Sequence, residues 1–474
     1  MTRPPAPTRH VHPVRPRCTI VPPFILARLA ETAPEPVAEG ARTTLQLDEG
    51  LFRRRRGVAP SEDSSERPAM DDGTGPNRSV HDAQNATRLP GVLVRAEGAE
   101  PTGDVAVDEA YDGLGATWRL LHDALGRDSL DDNGLGLAAS VHYGRNYLNA
   151  FWNGSQMVFG DGDGRLFNRF TASLDVIAHE LAHGLTEYTA GLNYQGQSGA
   201  LNEHVSDVFG AVTQQYALDQ DADVADWLIG AALLGPDVNG VALRSMAAPG
   251  TAYDDPQLGR DPQPATMADY VDTTDDYGGV HINSGIPNKA FHALATRLGG
   301  PAWEAPLQIW YDVLTGDIRA DCTFATFAHL TLAAARARFG ARSVEADAVA
   351  AAWASVEVEP APARQPTRTP APSTGSDADA TTRVVLRRTG GFAGLTRTAS
   401  VELGDLPDVD AEAWRLLLAE QRLESMASAA PDERPTPDSY SYGVRCDAPA
   451  TDVTLPEPAV PQDVRELFDR TLEA

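Results

Sequence analysis

The chain has 474 residues, 42% of them apolar, enough for two to four domains with a sizeable core. Its 39 basic and 67 acidic side chains leave a formal charge of −28, a surface that repels phosphate backbones, so nucleic acid and anionic membranes are not expected as partners. The three cysteines, Cys18, Cys322 and Cys446, are too few and too far apart for a disulfide framework or a C-x-x-C site and are read as thiols.

Residues 1–75 read as irregular. Their first 17 positions are rich in Pro and Arg without an apolar run, so no Sec-type signal peptide is expected, and no stretch of the chain approaches the roughly 20 apolar residues of a membrane span. Synthesis in the cytoplasm is expected, with export by a non-classical route left open. An apolar island, CTIVPPFIL over residues 18–26, precedes a polar stretch with RRRR at 53–56 and SEDSSE at 61–66, the composition of an exposed, cleavable tether. Residues 1–60 carry ten Arg against five acidic residues, so this basic end suits an acidic body.

Residues 77–356 form the dense globular part. Residues 134–160 are strand-rich, with strand character at 141–143 and 156–159, and GDGDG at 160–164 reads as a turn cluster. Leu174, Ile177, Leu181 and Leu185 share one helical face and predict a helix over 174–189. A second helix is predicted over 199–218, and helical patterns continue from 287 to 353. Strands first and helices later imply an α+β fold: a β-rich lobe over 77–190 and a helical lobe over 191–356, with a cleft between them. A Pro-rich linker follows at 357–381, then a small α+β module at 382–474, with a hairpin from 383, a helix at 411–425, a strand at 440–446 and a helix at 461–472.

The predicted helix over 174–189 carries H-E-x-x-H as His179, Glu180 and His183. Positions i and i+4 lie one turn apart on one face, so both imidazoles can reach one zinc ion. A catalytic zinc site takes three protein ligands and keeps a position for water. Glu203, on the next predicted helix, is the expected third ligand. Asp207, one turn further on, is placed to accept the second N–H of a ligating His. Glu180 falls between the ligands, where it can take a proton from zinc-bound water. His204 points about 100° away from Glu203 and is not expected to be a ligand.

These residues sit among longer motifs: NAFWNG at 149–154, QMVFGDGD at 156–163, SLDVIAHELAHG at 173–184, QSGALNE at 197–203, LRSM at 243–246 and GGVHINSG at 278–285. With them, residues 77–356 resemble the thermolysin family of zinc metallopeptidases. The resemblance implies a two-lobe metallopeptidase fold and cleavage of peptide bonds. His281 and Tyr194 resemble the donors to the oxyanion, with Asp276 orienting His281. Arg244 resembles the group that holds the substrate carbonyl just past the scissile bond, and Asn149 and Ala150 the edge that pairs with substrate backbone. Phe167, Phe170, Val176 and Leu243 resemble the walls of an apolar pocket, which implies a large apolar residue on the C-terminal side of the cut. Asp175 and Asp226 match calcium ligands of the family, but Gln214, Leu228 and Ala231 stand where acidic ligands are expected, so tight calcium binding is not expected.

The island at 18–26, with its Pro-Pro pair, resembles the short propeptide of the protealysin-like branch. It implies a zymogen whose own propeptide lies in or near the cleft, with maturation between residues 57 and 77. Cys18 is then either a thiolate that takes the water position on zinc or a small buried apolar residue. Residues 382–474 resemble the emfourin-type inhibitors of such peptidases, which makes the module a candidate inhibitor in cis. The rival reading is a catalytically silent zinc-containing scaffold, and the presence of Glu180, His281, Tyr194 and Arg244 speaks against it.

Overall fold

A computed structural model of the chain describes residues 18–55 and 75–362, and beyond them residues 382–390, 395–406, 408–419, 423, 426, 440–447, 450–456 and 460–473. The expected maturation stretch at 57–77, apart from its last three residues, and the linker from residue 363 onward lie outside the described residues. The chain divides into two compact units, Met1–Arg364 and Gln365–Ala474.

The first unit begins with two helices, α1 (Pro23–Thr32) and α2 (Val37–Arg55), where composition suggests irregular chain. Proline fits the first turn of α1 because the amide it lacks has no intrahelical partner there. The buried stripe of α2 is Val37, Ala41, Thr44 and Asp48, at helical spacing. Two of those four residues are polar, which is why hydropathy hides the helix.

Five strands follow: β1 (Ser79–Asp82), β2 (Val92–Ala96), β3 (Ala138–Val141), β4 (Ala150–Trp152) and β5 (Met157–Phe159), in the order β2-β1-β3-β5-β4. Helix α3 (Val105–Arg119), capped by the Asp104 carboxylate, connects β2 to β3. The strand expected over 141–143 stops at Val141. His142 turns into the left-handed region at φ 54°, and its ring bridges Asp161 at 2.9 Å and Asp104 at 3.1 Å. Those two carboxylates outweigh burial and hold the imidazole protonated up to about 9. The GDGDG segment is a turn, in which one Asp163 oxygen accepts the amides of Arg165, Leu166 and Phe167. β4 lies at the sheet edge, pairing with β5 on one side and leaving its other side to the segment that carries Ile20.

Helices α4 (Leu174–Tyr188) and α5 (Gly196–Leu218) pack against each other below the cleft. Gly210 permits that approach: a Cβ there would come within 2.5 Å of the Asp175 carbonyl oxygen. The remaining helices are α6 (Asp276–Asn283), α7 (Gly285–Leu298), α8 (Ala305–Leu314), α9 (Phe324–Phe339) and α10 (Val344–Ser355). Their core centres on Trp310 stacked on Trp353, and Trp310 donates to His204 at 2.8 Å. His204 therefore serves packing rather than a metal.

The second unit is a four-stranded antiparallel sheet in the order Leu395–Glu402, Arg383–Gly390, Tyr440–Asp447, Ala450–Pro456, with helices Asp408–Ala419 and Gln462–Glu473. Trp414 stacks on Phe468 between the two helices and donates to Thr471. The strand Ala450–Pro456 escaped the sequence reading because its buried face mixes Thr451 with Leu455. The first helix starts ahead of the expected 411.

Candidate metal centre and cleft

α4 presents His179, Glu180 and His183, and α5 presents Asn202, Glu203, Ser206 and Asp207. His179 Nδ1 lies 2.8 Å from Asp207, and His183 Nδ1 lies 2.8 Å from the Asn202 side-chain oxygen and 3.1 Å from Ser206. The carboxylate and the amide oxygen accept, so each ring carries its proton on Nδ1 and offers its Nε2 lone pair. Burial moreover pushes His183 down to about 4, so its ring is neutral. The two Nε2 atoms nevertheless stand 3.2 Å apart, with Glu203 oxygens 3.5 and 3.6 Å away. Two lone pairs at that separation repel each other unless a cation lies between them. Glu203 Oε2, moreover, is buried without a hydrogen-bond partner among the described residues. Two imidazoles, a carboxylate and the Cys18 thiol offer ligand atoms all within 4.8 Å of one another, a donor set suited to zinc.

Glu180 is fully buried beside this cluster. One of its oxygens accepts the Trp152 amide at 3.0 Å, and the other has no partner among the described residues. Burial, and then the charge of Glu203, push its carboxyl well above the usual carboxylate range. Burial opposes the charge of Glu203 as well, but its cationic neighbours, the His281 imidazolium foremost, outweigh it and hold that carboxyl down to about 2.

The roof of the site is a strained turn. Asp276, Tyr277, Gly278 and Gly279 all have positive φ, and glycine serves the last two, where the backbone closes on Gly196 and Asn283. The turn lets Asp276 grip His281 twice, through the backbone amide at 2.9 Å and Nδ1 at 2.7 Å. Burial works against the imidazolium, yet Asp276 and Glu203 hold it up to about 9. Tyr194 donates to Glu203 at 2.5 Å and lies 3.3 Å from His281 Nε2. Arg244 clasps Asp207 with Nε at 2.9 Å and Nη2 at 2.8 Å, and Asn288 donates to the same carboxylate.

Of the four residues expected to wall an apolar pocket, Leu243 lines a small cavity with Arg244, Tyr253, Gln263 and His281. Phe167, Phe170 and Val176 do not line it; they are buried in the same apolar cluster as Ile20 and Val21. Asn149 and Ala150 stand at the β4 edge, both buried. At the expected calcium position, Asp175 accepts from Ser173 and from the Gly230 amide, and Asp226 accepts the Leu228 amide at 3.0 Å. Asn202 and Asn288, which orient His183 and Asp207, escaped the sequence reading. An amide adjacent to Glu203 or 81 positions beyond Asp207 gives no periodic signal.

Residues 60–187 match the family described as thermolysin metallopeptidase, catalytic domain, and residues 190–358 match thermolysin metallopeptidase, alpha-helical domain. The chain is 51% identical over 327 residues to an extracellular metalloprotease of Pectobacterium carotovorum subsp. carotovorum, covering 69% of this chain and 92% of that protein. The chain belongs to the thermolysin family of metallopeptidases. It is a zinc metalloendopeptidase with the thermolysin-like fold, and residues 386–472 match emfourin. Protease PrtS of Photorhabdus sp. (strain Az29) is 48% identical over 324 residues, covering 68% of this chain and 87% of that one. The solved precursor of protealysin, a metalloproteinase from Serratia proteamaculans, is similar with a TM-score of 0.66 and 51% identity, over 72% of this chain and 99% of that one. Among the described residues, no helix is long and apolar enough to cross a membrane.

Proposed function

We propose that His179, His183 and Glu203 hold the catalytic zinc and that Glu180 is the general base of peptide hydrolysis. The observation that carries this reading is the pair of facing Nε2 atoms beside a buried Glu180 oxygen with no partner among the described residues. Bound zinc would supply a Lewis acid that polarises the substrate carbonyl and acidifies water. Glu180, desolvated and so a stronger base than an exposed carboxylate, takes the proton of the attacking water and returns it to the departing amine. His281, oriented by Asp276, and Tyr194 donate to the oxygen of the attacked carbonyl, where charge develops. Arg244, Asn149 and Ala150 bind the substrate backbone in extended form along the β4 edge. The apolar surroundings of Leu243 favour a large apolar residue after the cut.

The precursor is a zymogen in this reading, with residues 1–75 as propeptide and cleavable tether, and Cys18 stands where it would take the water position of a bound zinc. The module at 382–474 acts as an inhibitor in cis, since a tether of about 25 residues sets an effective concentration in the millimolar range. The extracellular relatives support secretion, and the replaced acidic ligands support a calcium-free double site.

Casein cleavage by the full-length chain, by a chain lacking 382–474 and by Glu180→Ala tests this reading. Chelator-sensitive cleavage is expected, faster after truncation and absent from the variant. Unchanged activity after truncation removes the inhibitor role. No cleavage by any form, even with residues 1–75 also removed, leaves the silent scaffold.

A further inference from the structure

Four buried residues, Cys18 to Val21, pass through the cleft alongside the first residue of β4. The Ile20 amide donates to the Ala150 carbonyl at 3.2 Å, and Arg244 Nη1 donates to the Ile20 carbonyl at 3.4 Å. Asn149 then takes both backbone groups of Val21, accepting its amide at 2.9 Å and donating to its carbonyl at 3.1 Å. Two residues before Ile20, the Cys18 sulfur lies 2.8 Å from a Glu203 oxygen and 3.5 Å from His281 Nε2.

The contacts of Ala150, Arg244 and Asn149 fix the register. Hydrolysis must deliver a proton to the amine that leaves, so the scissile nitrogen has to face the proton carrier. In the bound segment Arg244, which the reading above assigns to the carbonyl just past the cut, holds the Ile20 carbonyl, so that nitrogen belongs to Ile20. The bond before it joins Thr19 to Ile20. An inhibitory segment needs only to obstruct a cleft, yet this one lies along the edge with its backbone gripped on the C-terminal side of one particular bond, as a substrate would be.

We propose that the Thr19–Ile20 peptide bond is a latent cleavage site of the enzyme itself, held in productive register and kept intact by the Cys18 thiol. The inference rests on the endopeptidase reading above. In the cleavage, water adds its oxygen to the Thr19 carbonyl carbon and the C–N bond to Ile20 breaks. One water proton passes through Glu180 to the Ile20 nitrogen and the second follows from the new carboxyl group, leaving a Thr19 carboxylate and an Ile20 ammonium. No oxidant, reductant or co-reactant other than water is needed. Once the thiol is withdrawn the cut falls after residue 19, and the fragment from Ile20 onward leaves the cleft only when α1 and α2 undock. The Ile20 side chain, fully buried among apolar neighbours, represents the class of residue accepted after the cut.

Full-length Cys18→Ser and Cys18→Ala chains, supplied with zinc, are followed by intact mass and N-terminal sequencing. Both are expected to lose residues 1–19 and to begin at Ile20, and combining either with Glu180→Ala is expected to leave the bond whole. A readout independent of turnover is amide exchange in full-length Glu180→Ala. There the Ile20 and Val21 amides are expected to exchange at least about 100-fold more slowly than in an unstructured peptide. Asn149→Ala in that background is expected to release Val21. Casein cleavage by either Cys18 variant while its Thr19–Ile20 bond stays intact overturns the inference and spares the endopeptidase reading. Unprotected Ile20 and Val21 amides overturn the register. Failure on both casein and the internal bond overturns the reading on which the inference rests.

Discussion

Asp207 and Arg244 form a buried two-point ion pair, with Nε 2.9 Å and Nη2 2.8 Å from the carboxylate. The same carboxylate receives His179 Nδ1 at 2.8 Å, so one acid orients both a proposed metal ligand and the side chain that grips Ile20. Asp207→Ala leaves the Arg244 charge buried and unpaired, and a stability loss of about 3–5 kcal/mol is expected in urea unfolding. Asp207→Asn is expected to weaken zinc retention by about 10- to 100-fold in chelator competition, because His179 loses its charged orienting partner. Wild-type zinc retention in Asp207→Asn would remove the orienting role.

Much of this site is legible in the sequence, and the reason is spacing. His179, Glu180 and His183 lie within one turn of a helix whose apolar face is itself periodic, and Glu203 and Asp207 repeat the same one-turn interval on the next. What escapes is non-periodic. Asn202 and Asn288 are found only when α4, α5 and α7 are packed together. Helix α2 hides because Thr44 and Asp48 occupy its buried stripe, and the end of β3 hides because the turn at His142 depends on carboxylates 38 and 19 residues away. The placement of Ile20 on Ala150 is a long-range contact that local pattern does not reveal.

Asp48 sets a pH dependence for docking of the propeptide. It is buried against the Tyr147 hydroxyl at 2.5 Å and the Asn149 amide at 3.3 Å, with Thr44 one turn away on its own helix. Burial raises its carboxyl from 3.8 to about 7, against the smaller opposing effect of those two hydrogen bonds. The docked state therefore holds a proton that the undocked state releases. Its stabilisation is full below about pH 4 and is lost as pH rises through about 7, a change on the order of a few kcal/mol. In the uncut Glu180→Ala chain, protease susceptibility of residues 18–55 is expected to increase from pH 5 to pH 8, and Asp48→Asn to flatten that slope. An unaltered slope in Asp48→Asn would assign the dependence elsewhere.

Calcium is expected to do little. The Asp175 oxygens already accept from Ser173 and Gly230, and Gln214, Leu228 and Ala231 offer no carboxylate. Millimolar calcium is expected to move the thermal midpoint by less than about 1 °C, since an ion that does not bind the native state cannot stabilise it. A clear rise in the midpoint would restore a calcium site.

Zinc titration of the metal-free, propeptide-free enzyme, followed by casein cleavage, bears most directly on the central assignment. Activity is expected to appear in proportion to zinc and to saturate at one ion per chain. Glu180→Ala is expected to bind the same ion while its cleavage falls by about 10²- to 10⁴-fold. Cleavage without metal, or an undiminished rate in Glu180→Ala, would contradict the assignment of His179, His183 and Glu203 as zinc ligands with Glu180 as the base.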